Sequence, residues 1–447
     1  MKPALWATVL TLANVLADVA IGSPMMVLPQ LLEHFCTDQA AWLGSSAMLA
    51  GAIWSPLLAR CSDLYGKRRV LVTALLIACA GSVICLTASN FWMFLVGRFL
   101  QGAALATIFL SVALVLQICS PRAAMGVVGI VTSSSSVVGI VEPFLMRPVI
   151  DVLGFRGVFL VAAALAAVAA LAVRSVVPES PIRSPGRVDV VGALLLGGGL
   201  AAVLAWLSGG AIALLASGAA ALGCWLFSAR RVEQPLVDIR ALRRPVLLTL
   251  LTVVLAAGAF RGMLQLTSIV AQVPPDLGVG YGFGGEDAVA LLLAAPNLGI
   301  VIGGACAGWI AGRLGPASPL LAGVILGATA TFATLASVST LPMAVACGTL
   351  TGVAAGAIGT SGYTAATGPE PPQQQGTVAG LVSVSMALGS VVFTFVGNEI
   401  LKATRIPGDT AVSTGTGVAL YIAMAGALFL LAVLPAISLI SAARTSR

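Results

Sequence analysis

Four ionisable residues lie inside long apolar runs of this sequence, where charge is costly and therefore chemically informative: Asp18, Arg98, Glu142 and Arg261. A carboxylate at such depth can take up and release a proton. An arginine there needs an acidic or carbonyl partner, since it costs about 3 kcal/mol or more on the translocon scale. Glu142 lies about six residues below Pro148 and Arg98 about eight below Asn90, so on antiparallel helices they could meet roughly 10 Å under one interface. Arg147 competes for Glu142 but stands at a poor helical spacing, and Arg98 could instead snorkel to the interface. Asp18 and Arg261 fall near the midplane by the same rise, either as a proton or substrate site or as a pair that only locks helices. Gln101, Gln265 and Asn297, with Asn14 and Gln117, add uncharged donors and acceptors that could read a polar substrate group or tie helices together.

The rest of the reactive inventory is thin. His34 is the sole histidine, and the eight cysteines occur singly, without CxxC or metal-ligand spacing. No His-Glu-x-x-His, Gly-x-Ser-x-Gly or phosphate-loop pattern occurs, so neither catalysis nor a metal or cofactor is expected.

Placing those four residues in hydrocarbon requires membrane spans, and the composition supplies them. Of 447 residues, 59% are hydrophobic and 9% charged, against about 25% charged in soluble domains. Mean hydropathy is +1.06. Apolar runs near 5–31, 40–59, 70–88, 91–118, 123–147 and 155–177 form a first group of six, and runs near 190–207 and 211–228 form a hairpin. Runs near 246–272, 287–308, 317–338, 342–366, 376–400 and 417–441 form a second six. The expectation is an all-α membrane protein of fourteen helices: an N-terminal bundle over 1–180, an inserted hairpin with its connections over 181–240, and a C-terminal bundle over 241–447.

Two observations support that count. With the N-terminus in the cytoplasm, most of the 23 Lys and Arg fall on that side, including Lys67 to Arg69, Arg183, Arg187, Arg230, Arg231, Arg240 and Arg447. Both termini then lie inside and the number of spans is even. An internal repeat is also visible: Gly126, Ser133, Ser135 and Gly139 recur as Gly376, Ser383, Ser385 and Gly389, while Ala59, Asp63 and Gly66 correspond to Gly308, Gly312 and Gly315. Each pair joins equivalent helices of the two sixes. The net charge of +7 could suggest nucleic acid, but no basic stretch stands apart from the apolar segments, so lipid is the expected partner. The first apolar run is too long for a signal-peptide core and is expected to be retained.

The loop between the second and third runs reads A-R-C-S-D-L-Y-G-K-R-R, residues 59–69. It resembles the signature loop of the major facilitator superfamily, with Asp63, Gly66, Lys67, Arg68 and Arg69 at its characteristic places and Ala59 replacing its first glycine. In chemical terms the acid can accept from a helix N-terminus or an arginine, the glycine permits a tight turn, and the basic cluster faces anionic lipid. G-R-F-L-Q-G, residues 97–102, resembles the second motif of that superfamily, in which an intramembrane Arg and a Gln lie near the coupling site. The fifth run departs from it. Drug antiporters of this type carry Gly-Pro followed by Gly-Gly, where this chain has Glu142, Pro143, Met146 and Arg147. Gly154, Phe155, Arg156 and Phe159 again resemble the family at the start of the sixth.

The central hairpin, with P-L-V-D-I-R-A-L-R-R over 235–244, resembles the fourteen-span drug:proton antiporter branch. The resemblance implies two bundles rocking about a central site lined by the first helix of each half. It also implies an inner-membrane exporter of amphipathic or hydrophobic small molecules, driven by protons. On this reading Asp63 to Arg69 gate, Asp18, Arg98 and Glu142 couple protons, and Asp18, Gln101, Arg261, Gln265 and Asn297 meet substrate. The alternatives are an importer or facilitator of an organic anion, motivated by the lost glycines and by Arg98, Arg147 and Arg261, and a non-transporting membrane partner. Abundant Ala, Gly and Arg suit a bacterium. The Gly-rich connection from Val273 to Asp287 is expected to be an outer loop.

Overall fold

The computed structural model describes residues 2–119, 121–180, 189–207, 210–232, 243–273, 282–283, 286–367, 372–406 and 412–445. The outer connection at Val273 to Asp287, the segment 235–244, and Arg183, Arg187, Arg240 and Arg447 lie wholly or largely outside these residues. Among the described residues the regular structure is helical, apart from one isolated antiparallel bridge between Arg405 and Ser413.

The helices are α1 (Lys2–Met26), α2 (Leu28–His34), α3 (Ala40–Tyr65), α4 (Lys67–Thr87), α5 (Phe91–Gln101), α6 (Ala106–Ile118), α7 (Pro121–Leu153), α8 (Phe155–Val176), α9 (Val190–Leu207) and α10 (Ile212–Arg231). They continue with α11 (Arg244–Gln272), α12 (Glu286–Leu314), α13 (Ala317–Ala333), α14 (Leu341–Thr367), α15 (Pro372–Ala403) and α16 (Gly415–Thr445). Among the described residues, thirteen helices are long and apolar enough to cross a membrane, counting Phe91–Val115 as one. The place of the fourteenth expected span is held by α7, 33 residues long.

Several expected spans are interrupted, and the residues say why. The first run breaks after Met26 and resumes at Leu28 with Pro29 in the first turn, where its missing amide costs nothing. The fourth run passes through a 3₁₀ turn, Gly102–Leu105, before α6. A Cβ at Gly102 would stand 2.7 Å from the Ala47 carbonyl and the Gly51 amide, so the absent side chain lets the chain press against α3. The fifth run extends past its expected end to Leu153, with Pro143 and Pro148 inside the helix.

The chain divides into two compact units, one of residues 1–35 and 42–237, the other of residues 36–41 and 238–447. In the first, α1 packs on α7 and α8, α4 packs on α8 and α5, and α9 pairs with α10. Gly197 of α9 meets Ile53 of α3, which places the hairpin in this unit. In the second, α11 packs on α15 and α16, α13 packs on α16 and α14, and α12 lies along α14. Thus α1, α7 and α8 pair as α11, α15 and α16 do, and the repeat seen in sequence is a repeat of packing. Lipid removes most of the hydrophobic drive for helix association, so close backbone approach has to supply it. The α12–α14 contact shows how: Gly299 and Gly303 face the α14 backbone, while Gly352 and Gly356 face the carbonyls of Pro296 and Ile300.

Candidate functional site

Arg98 is fully buried on α5. Its Nη1 donates to the Ala20 carbonyl of α1 at 2.6 Å and to Gln101 Oε1 at 2.8 Å, and its Nη2 to the Gly44 carbonyl of α3 at 3.4 Å. The Ala20 carbonyl is available for a local reason. In a continuous helix it would accept from the amide of residue 24, and residue 24 is proline. A buried arginine thus takes an acceptor that a proline vacates, while its Nε has no partner among the described residues. Charge-assisted bonds contribute about 1.5 to 3 kcal/mol each, enough for this set to offset a burial cost of about 3 kcal/mol.

Gln101, one turn further along α5, is committed at both ends of its amide. Its Oε1 accepts from Arg98, and its Nε2 donates to Ser82 Oγ of α4 at 2.8 Å. Ser82 in turn donates to the Ala78 carbonyl at 2.9 Å. A buried hydrogen-bonded chain therefore runs from α1 through Arg98 and Gln101 into α4. Gln101, expected to meet substrate, has both groups of its amide bonded within the bundle.

Glu142 of α7 is buried and accepts a hydrogen bond from the Ser23 hydroxyl of α1. Gly22 makes the approach possible, since a Cβ there would lie 3.0 Å from Glu142 Oε2. The expected ion pair between Glu142 and Arg98 does not form. Both reach the same turn of α1 on separate atoms, Arg98 at the Ala20 carbonyl and Glu142 at Ser23, and a carbonyl and a hydroxyl replace the counter-ion. Asp18, about a turn earlier on α1, is half-buried and within electrostatic reach of Glu142. On the same face, Asn14 is fully buried with neither amide atom hydrogen-bonded among the described residues.

The second unit holds the remaining candidates. Arg261 and Gln265 are one turn apart on α11. Arg261 is half-buried, and Gln265 is fully buried with neither amide atom bonded among the described residues. Asn297 of α12 donates to the Leu293 carbonyl at 3.0 Å, next to Pro296 inside the helix. The opposite face of α11 borders an apolar pocket lined by Phe260, Met263, Thr267, Phe283, Pro296 and Thr351. Among the described residues, no group of three or more His, Cys, Asp or Glu is placed to hold a metal ion.

The signature loop is built around a helix start. Gly66 adopts φ 103°, which a side chain rarely tolerates, and turns the chain into α4. Asp63 pairs with Lys67 at 2.7 Å. No residue of the loop caps α4; the cap comes from beyond α8. Glu179 accepts from the amides of Arg68 at 2.9 Å and Arg69 at 3.2 Å, and Ser180 Oγ accepts from the Lys67 amide at 3.0 Å. Arg68 also donates to the Val177 carbonyl at 3.1 Å. Glu179 and Ser180 are not among the residues that the sequence singles out. The available signal was an acid and a hydroxyl side by side directly after a span, a pairing suited to orphan helix amides. In the second unit, Gly315 (φ 82°) makes the corresponding turn, and Arg313 lies over the Trp309 ring at 3.9 Å.

Two helical units with the same pairing scheme, each built of helices long and apolar enough to cross a membrane, define a multi-pass membrane protein with an internal repeat. The chain belongs to the Major Facilitator Superfamily, whose family model matches residues 10–394. Multidrug resistance protein Stp of Mycobacterium tuberculosis is 26% identical over 89% of this chain and 75% of its own length. The uridine/deoxyuridine transporter of Lactococcus lactis is 27% identical over 69% of this chain and 67% of its own. For the multidrug resistance protein B homolog of Mycobacterium tuberculosis the identity is 28%, over 72% of this chain and 61% of that protein. Among solved structures, the POT family transporter PepTSo gives a TM-score of 0.72 at 13% identity, covering 99% of both chains. The nucleoside transporter NupG gives 0.68 at 12% identity, covering 96% of this chain and 99% of that one. At such identities these two structures establish the shared fold. The protein is a multi-pass membrane transporter of small molecules and not an enzyme.

Proposed function

We propose that this transporter exports amphipathic or hydrophobic small molecules across the bacterial inner membrane in exchange for protons, by alternating access of bundles 1–180 and 241–447, with both termini in the cytoplasm. The observation that carries the reading is Glu142, a buried carboxylate whose hydrogen bond comes from the Ser23 hydroxyl and not from a cation. A group so placed meets its electrostatic cost by binding a proton or a cationic cargo, and a cycle that alternates the two is an antiport cycle. Asp18 shares the site. Arg261, Gln265 and Asn297 face cargo in the second unit, and Asp63 to Arg69 act as the gating loop. The mycobacterial relatives named for multidrug resistance support export.

The test is reconstitution into liposomes containing an interior pH dye, with lipophilic cations, neutral drugs and organic anions added in turn. Compound-triggered proton movement that is lost in Glu142→Gln or Asp18→Asn is the expected result. Proton movement unchanged in both variants refutes the coupling. A second reading, an importer or facilitator of an organic anion or metabolite, is favoured by the uridine/deoxyuridine relative and by the half-buried Arg261. Direction of flux separates the two.

A further inference from the structure

One turn of α1, residues 20–24, is gripped from two sides. Glu142 holds Ser23, and Arg98 holds the carbonyl that Pro24 leaves without an amide. We propose that Ser23 and Pro24 are positioning residues that pass the protonation of Glu142 to Arg98, making this turn a relay between the acid and the buried arginine. The inference rests on Glu142 being the coupling acid.

The steps follow from what each atom can do. An ionised carboxylate only accepts, so it draws the Ser23 O–H. Adding one proton to a carboxylate oxygen turns that oxygen into a donor and releases the Ser23 hydroxyl. A helical serine so released back-bonds to the carbonyl four residues earlier, here Val19, which bends the helix at that point. The next carbonyl along is Ala20. In an unbroken helix the amide of residue 24 would hold it whatever the side chains did. With proline there, that carbonyl lacks its i+4 amide and accepts from Arg98, so a shift of α1 changes the bonding of Arg98. Arg98 also bonds Gly44 of α3 and, through Gln101, Ser82 of α4, so the change reaches two further helices.

The charged groups around Glu142 are few. Among the helices packed on α7, α1 brings Asp18, α6 carries no ionisable residue between Ala106 and Ile118, and α8 has Arg156 and Arg174 at its two ends. On α7 itself the groups are Arg122, Arg147 and Asp151. Asp18 therefore tunes the pH at which the relay acts, and the other charges lie towards helix ends.

The full chain in lipid nanodiscs tests this without any cargo, by two readouts across a pH titration: the infrared carbonyl band of protonated carboxyl groups, and hydrogen exchange in peptides covering residues 13–27 and 40–50. In the native protein, exchange in both peptides changes at the pH where the band appears. Ser23→Ala removes a donor to the ionised acid and moves that midpoint to higher pH by roughly one unit. Pro24→Ala restores an amide for the Ala20 carbonyl. It keeps the infrared band and the change in 13–27 while abolishing the change in 40–50. A native response at 40–50 in Pro24→Ala, or a native midpoint in Ser23→Ala, overturns the relay. Should Glu142→Gln leave both band and response intact, the acid assignment itself fails, a different outcome from a band that depends on Glu142 with a silent Pro24→Ala.

Discussion

Arg98 and Pro24 are joined through a single atom, the Ala20 carbonyl oxygen, which the proline leaves without an amide and to which the arginine donates at 2.6 Å. Neither residue makes structural sense at its depth without the other. A proline inside a helix costs about 3 kcal/mol, and an arginine in hydrocarbon costs about as much. One shared hydrogen bond relieves both.

Arg98→Ala is therefore expected to lower stability more than a loss of positive charge alone would. It leaves the Ala20 carbonyl without the donor that stands in for the proline's missing amide and removes the Arg98 bonds to the Gly44 carbonyl and Gln101 Oε1, a loss of about 2 to 3 kcal/mol. Thermal denaturation in detergent reads the change, and a melting temperature within a degree or so of native would contradict it.

Glu179→Ala should unfasten the start of α4. Two backbone amides lose their acceptor, an effect of about 1 kcal/mol typical of helix caps, felt as faster hydrogen exchange at residues 67–70. Glu179→Gln retains one acceptor oxygen and is expected to fall between. Equal exchange in all three proteins would show that the cap is not what orders the loop.

Asp63→Asn separates gating from folding. Asp63 is 42% exposed but Lys67 only 8%, and the amide oxygen that the substitution keeps can still accept from the Lys67 ammonium, so the melting temperature should change little. A fall in transport in this variant then reports the loop's role in the cycle. A large loss of stability would mean that Asp63 supports the fold itself.

Tyr421→Phe is expected to be neutral or stabilising. The hydroxyl is fully buried against Gly262 and Gly397 with no hydrogen-bond partner among the described residues, so removing it relieves an unpaired polar group. Destabilisation by more than about 1 kcal/mol would reveal a bound water or ligand group at that oxygen.

The glycines of the second unit should divide sharply. Gly352→Leu drives a side chain into the Pro296 carbonyl and is expected to abolish monodisperse protein on size exclusion. Gly308→Ala and Gly312→Ala meet open space and should be neutral or stabilising by about 0.5 to 1 kcal/mol. Similar behaviour in all three would mean that α12 and α14 do not depend on backbone contact.

The architecture was legible because hydrocarbon imposes it. Runs of about 20 apolar residues can do little else than span, and the bias of Lys and Arg allows few threadings. The need of Arg98 for an acidic or carbonyl partner could be read from burial cost alone. Which partner it takes could not, because that depends on α1 crossing α5 at the turn where Pro24 withholds an amide. Glu142 was likewise legible as a buried acid, whereas its hydroxyl partner required knowing that Gly22 lets α7 close in on α1. Glu179 escaped for a different reason: periodicity and local motifs describe near neighbours, and a cap supplied from another helix end leaves no local trace. The 3₁₀ turn after Gln101 is similar, set by the press of α3 against Gly102 and not by propensity.

That distant cap has a consequence for biogenesis. Arg68 and the Glu179 that completes its helix are 111 positions apart, so α4 leaves the ribosome long before its fastener exists. At about 5 to 20 residues per second, the delay is on the order of ten seconds. Throughout it, the amides of Lys67 to Arg69 have only water and lipid head groups to bond. Synthesis of residues 179 and 180 supplies those acceptors, so this end of α4 is fastened only after the rest of its six-helix group has been made.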